Sequence, residues 1–180
     1  MLSASPSSFR DHYSALVASG AIEADPAQAR AVEAFTALDE RLAAYKPPRK
    51  PRFLGKFFKN DRKKEAPPNG LYIHGEVGRG KTMLMDLFFQ QTQVAHKRRA
   101  HFHEFMADVH ERIYAFRQNI ARGEMADADV IHLTATSIFE EAWLLCFDEF
   151  HVTDIADAMI LGRLFEALFA EGVTLVATSN

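Results

Sequence analysis

The feature that most constrains this chain is Gly75-Glu76-Val77-Gly78-Arg79-Gly80-Lys81-Thr82, which fits G-x-x-x-x-G-K-[ST] at every position. Its flanks fit as well. Leu71-Tyr72-Ile73-His74 is a short β-prone run that can serve as a buried strand, and Met83 to Gln93 is rich in helix formers. Strand, glycine-rich loop and helix are the setting in which this pattern cradles phosphate. Gly75, Gly78 and Gly80 are expected to let the backbone take conformations closed to residues with a Cβ. The loop N–H groups, Glu76, Val77 and Arg79 included, would then wrap a polyphosphate together with the positive end of the following helix. Lys81 is expected to reach the β- and γ-phosphates of ATP, and the Thr82 hydroxyl to ligate Mg2+.

The chain has 180 residues, room for one α/β domain and a small addition. No apolar run approaches the roughly eighteen residues that span a bilayer, and the N-terminus lacks the basic and apolar regions of a secretory signal. Cys146 is the only cysteine, which excludes a disulfide framework and points to a reducing compartment, the cytosol by default. The net charge of −3 is unevenly spread. Residues 1–45 are net −3, residues 46–65 net +7 with nine cations, and the remainder net −7.

In chain order, Phe9, Tyr13, Leu16 and Val17 recur at helical spacing, with Ser7 and Ser8 as caps and Gly20 as the stop. A second helix is expected from Asp25-Pro26, with the stripe Val32, Phe35, Leu38, Leu42 and Tyr45, ended by Pro47-Pro48. Two short helices bury little alone, so residues 1–45 read as a hairpin that packs on the nucleotide domain. Residues 46–69, with five prolines, read as an extended basic linker. Its segment Phe53-Leu-Gly-Lys-Phe-Phe-Lys59 suits a solvated linker that docks its aromatics back, a membrane or acidic-protein contact, or a nucleic-acid backbone. From residue 70 strands and helices alternate. A strand is expected at Ala100–His103, a long helix through Phe105 to Ile120, a loop over 124–132 and a helix over 133–142. Trp143–Phe147 reads as a strand buried on both faces, then a helix capped by Thr153 or Asp154 and a strand over Val173–Thr178. The fold class is α/β, a parallel sheet flanked by helices.

Asp148-Glu149 follows the buried strand, at the sheet edge where open α/β folds bind ligands. Asp148 is expected to hold Mg2+ and Glu149 to polarise the attacking water, which points to ATP hydrolysis rather than transfer to a metabolite. Asn180, after the last strand, can reach the γ-phosphate and that water as a sensor. His101, His103 and His110 have no acidic or thiol partner at zinc-ligand spacing, so hydrogen-bonded or partner-contacting histidines are expected. His74 and His151 lie beside the nucleotide loops. No Asn-Lys-x-Asp segment that reads guanine is present, which argues against a GTPase.

Gly70–Phe89, Arg98–Met106, Leu144–Leu161 and Val176–Asn180 together resemble the ZapE-type family of AAA+ ATPases, and with the helical hairpin the resemblance covers nearly the whole chain. It implies a Mg2+-dependent ATPase that remodels a protein partner as a homo-oligomeric ring. The bacterial branch implies a cell-division role with the division-ring tubulin homologue, in the cytoplasm at the inner membrane face, through residues 46–65 where membrane is touched. An AAA+ module is expected to continue past Asn180 with another strand, an arginine finger and a lid. Residues 70–180 therefore read as an incomplete core from a truncated product. Two alternatives remain open: a nucleic-acid-associated ATPase of the helicase-loader kind, supported by the basic linker and His96–Arg99, and a nucleotide-binding module without turnover.

Overall fold

A computed structural model describes residues 8–47 and 66–180. The basic stretch 48–65, and with it most of the expected linker and its membrane-contact segment, lies outside the described residues. Four parallel strands form one sheet in the order β1-β4-β3-β2: β1 Leu71–His74, β2 Lys97–His101, β3 Leu144–Asp148 and β4 Thr174–Ser179. Parallel neighbours require crossovers, and helices supply them. α3 (Lys81–Gln91) joins β1 to β2. α4 (Phe102–Ala121) and α5 (Val130–Glu141) join β2 to β3, and α6 (Ile155–Glu171) joins β3 to β4. Upstream lie α1 (Phe9–Ala18) and α2 (Ala29–Ala44), the latter entered through a 3-10 turn at Pro26–Gln28.

Helices cover both faces of the sheet, and period-2 alternation along the strands divides the core between them. Leu144, Cys146 and Val176 face a cluster built by α1, α2 and α3. Leu145, Phe147 and Ala177 face the opposite cluster, built by α4, α5 and α6. This is why β3 is apolar from Leu144 to Phe147 and buried at each of its five positions, the closing Asp148 included. The N-terminal helices have no core of their own. Phe35 stands 4.9 Å from Phe88 of α3 and 5.3 Å from Phe9, centroid to centroid, and Tyr45 meets Trp143 edge-on at 5.5 Å.

The local signals account for most helix ends. Ser8 and Asp11 form a capping box at α1, Asp25 accepts the Ala27 N–H at 2.8 Å, and Asp154 rather than Thr153 caps α6. Asp129 caps α5, so that helix begins at Val130, three residues before the expected 133. Two strands differ more from expectation. β1 is an edge strand with alternating exposure, Tyr72 being 63% exposed, because among the described residues only β4 pairs with it. β2 starts at Lys97 and ends at His101, so the expected strand over 100–103 is displaced toward the basic run and His103 falls in the first turn of α4. The cations are tolerated on this opposite edge because each finds an internal partner. Lys97 donates to the Phe89 and Thr92 carbonyls at 2.6 and 2.9 Å, Arg98 pairs with Asp108, and Arg99 with Asp148.

Candidate nucleotide site

The site is built at the carboxyl ends of β1, β4 and β3, three adjacent strands. The loop leaving β1 passes through the left-handed region at Gly78 (φ 82°) and Gly80 (φ 75°), and Gly80 is the N-cap of α3. Gly75 does not share this: its φ is not positive, and a Cβ there would meet open space, so its place in the motif is not required by backbone conformation in this structure. Lys81 opens α3 and folds back over the loop, its Nζ donating to the Gly75 and Glu76 carbonyls at 2.6 and 2.7 Å. Those two bonds close the loop into a ring with a cation at its mouth. Thr82 follows, exposed in the first helical turn, and Glu76, Val77 and Arg79 form the solvent-facing lip. The Arg79–Glu76 ion pair (3.4 Å) is exposed on both sides and adds little stability.

Opposite the loop, Asp148 is buried, with only 5% exposure, at the end of β3. A buried carboxylate needs a counter-charge, and Arg99 supplies it from β2. Its Nε and a terminal nitrogen reach Oδ2 at 2.8 and 2.7 Å, while the guanidinium also pairs with Asp86 of α3. Among the described residues Asp148 Oδ1 has only Thr178 Oγ1, at 3.5 Å. Glu149 is exposed, and at φ 53° it is the one non-glycine residue among those described with a positive φ. Such strain persists where the surroundings over-determine it. Here the next residue is held, the Phe150 N–H donating to the Thr178 carbonyl at 2.8 Å.

β4 ties the two loops together. Its Ser179 carbonyl accepts the Gly75 N–H at 3.4 Å, and Thr178 holds the Phe150 turn. Asn180 follows Ser179 directly, exposed, where β4 emerges between the phosphate loop and the Asp148-Glu149 turn. Ser179 Oγ lies 2.6 Å from Tyr72 OH and 3.2 Å from His74 Nδ1, so His74 is anchored to β4. The donor set suits Mg2+, a hard cation that prefers a few protein oxygens completed by phosphate and water. Thr82 offers an exposed hydroxyl, and Asp148 a carboxylate with one oxygen only weakly engaged.

The histidines considered for zinc do other things. His101 and His103 stack at 5.8 Å, His110 bonds to Asp157 at 2.7 Å, and among the described residues no group of three or more ligating side chains converges. Cys146, entirely buried, has its thiol pushed up to about 12 by desolvation and is inert at neutral pH. Four residues at or near the site escaped sequence reasoning: Arg99, Asp86, Tyr72 and Gln28. Each acts through a partner between 13 and 107 residues away, and no spacing rule reports such pairs.

Comparison with known proteins gives a consistent answer. The profile of the AFG1-like ATPase family matches residues 7–180. The chain is 43% identical over 168 residues to cell division protein ZapE of Escherichia coli K12, covering 89% of this chain and 42% of that protein. It is 52% identical over 129 residues to lactation elevated protein 1 homolog B of Danio rerio, covering 68% of this chain and 26% of that one. The chain thus spans less than half the length of these relatives. Among solved structures, domain III of the replication initiation protein DnaA from Thermotoga maritima superposes with a TM-score of 0.53 at 16% identity, over 88% of this chain and 53% of that chain. At that identity the likeness establishes fold alone: a parallel sheet flanked by helices.

Proposed function

The chain belongs to the AFG1-like ATPase family, and on that premise we propose that residues 70–180 bind Mg·ATP and take part in its hydrolysis. The supporting observation is that the ends of three adjacent parallel strands carry a glycine-capped loop with Lys81, a buried Asp148 beside a strained Glu149, and Asn180, with the middle strand bonded to both flanking loops. In this reading the loop N–H groups and Lys81 hold the β- and γ-phosphates. Thr82 and Asp148 hold Mg2+, which when bound supplies positive charge against the phosphate oxygens. Glu149 accepts a proton from water attacking in line, and Asn180 orients that water and the γ-phosphate.

The same reading couples hydrolysis to remodelling of a protein partner by an oligomeric assembly, with a role in cell division inferred from the 43% identity to ZapE. By the same inference the partner is the division-ring tubulin homologue, met in the cytoplasm at the inner membrane face. The helicase-loader alternative loses part of its support, because Lys97, Arg98 and Arg99 each turn at least one side-chain donor to a partner inside the domain. Among the described residues no helix is long and apolar enough to cross a membrane. Phosphate release tests the proposal. Glu149→Gln should retain Mg·ATP binding within a few-fold and lose turnover by about 100-fold or more. Unchanged turnover in that variant would contradict the assignment of Glu149.

A further inference from the structure

Gln28 ends the 3-10 turn between α1 and α2, far from the phosphate loop in sequence, yet its side chain lies against that loop. It is 8% exposed, and its Nε2 donates to the Arg79 carbonyl at 3.2 Å. Its Oε1 accepts from Tyr13 OH of α1 at 3.0 Å. The opposite amide orientation would set Oε1 against a carbonyl oxygen, so the two partners dictate which way the amide points. Gly80 is in contact as well: a Cβ there would stand 2.5 Å from Gln28 Nε2.

We propose that Gln28 is a positioning residue for nucleotide binding, aiming and polarising the Gly80 N–H through the Arg79–Gly80 peptide, and that Tyr13 completes the relay. This inference rests on the nucleotide-site reading above. The physical reason is the planarity of the trans peptide, which points the carbonyl and the following N–H in opposite directions. A donor fixed on the Arg79 oxygen therefore fixes where the Gly80 N–H points, at the one loop position that also caps α3. The two bonds run in the same sense, from Tyr13 O–H to the Gln28 amide and from the Gln28 amide to the Arg79–Gly80 peptide, and the first polarises the second. The positive end of the chain is the Gly80 N–H, the group that meets an anion. Without that donor the 79–80 peptide is free to rotate, and ordering it becomes a cost of binding phosphate. Binding couplings are reciprocal, so phosphate in the loop should in turn strengthen docking of the α1–α2 hairpin.

The test is a titration of Mg·ADP against the parent chain, Gln28→Leu, Tyr13→Phe and the double variant, with thermal unfolding of each free protein and hydrogen exchange across residues 9–44. Gln28→Leu should weaken Mg·ADP about tenfold and Tyr13→Phe about threefold, the double variant matching Gln28→Leu because both act through one relay. Where turnover is measurable, KM should rise and kcat should not. Mg·ADP should slow exchange in the hairpin of the parent and not of Gln28→Leu. Tyr13→Phe removes one oxygen from a partly buried ring, so it should lower the free protein's midpoint by only a few degrees, still fold, and decide the matter if Gln28→Leu does not fold. Equal affinity in the parent and in Tyr13→Phe or Gln28→Leu would overturn this inference and leave the nucleotide site standing. A parent chain that does not bind Mg·ADP would overturn both.

Discussion

At the scale of single residues, the backbone of Glu149 is the most informative feature. A β-carbon at φ 53° costs of order 1 kcal/mol, and the Phe150–Thr178 bond on one side and the buried Asp148 on the other hold the residue there. If the position is kept for its carboxylate, stability and activity should separate. Glu149→Gly should stabilise the protein toward denaturant by up to about 1 kcal/mol, since glycine adopts this conformation without the steric penalty, while removing turnover. A destabilised glycine variant would show that the carboxylate makes contacts beyond the active edge. The place of the acid pair at the end of a buried strand was legible in the sequence, because it directly follows four apolar strand residues. Its strain was not legible, and neither was Arg99, whose pairing with Asp148 depends on β2 and β3 lying side by side. The three glycines of the loop looked equivalent, and only two of them proved to need the conformational freedom of glycine.

At the scale of elements, the apolar stripes of α1, α2 and α4, the uniform burial of β3 and the capping of α6 by Asp154 follow from periodicity and cap chemistry. The errors occur where charge or pairing overrides pattern. β2 reads as too basic for a strand until Lys97, Arg98 and Arg99 are each given a partner. Asp108, which joins α4 to β2, shows the same balance. Burial acts to raise its carboxyl, but bonds from Arg112 and Arg98 outweigh that and hold it below its ordinary 3.8. The joint between α2 and α3 can be tested through Phe35, fully buried between Phe9 and Phe88. Phe35→Ala should cost about 3–5 kcal/mol in chemical denaturation, lost contacts plus the cavity left behind. A cost under about 1 kcal/mol would mean that the hairpin contributes little to the core.

At the scale of the whole molecule, the strand order brings the Gly75–Thr82 loop and the Asp148-Glu149 turn together. The chain runs from one sheet edge at β1 to the other at β2 and steps back through β3 to β4, so β4 ends between the phosphate loop and the Asp148 turn. Alternation in sequence predicts a parallel sheet but not this order, because neighbours in a parallel sheet need not be neighbours in sequence. The N-terminal helices share a single core with α3, β3 and β4 and reach the Gly75–Thr82 loop itself through Gln28. The measurement that tests the account most directly is equilibrium binding of Mg·ATP to the parent chain and to Lys81→Ala. The parent should bind saturably and the variant about 100-fold or more weakly, because the substitution removes the cation at the mouth of the loop. Equal affinity in the two proteins would contradict it, because the nucleotide would then be held somewhere other than this loop.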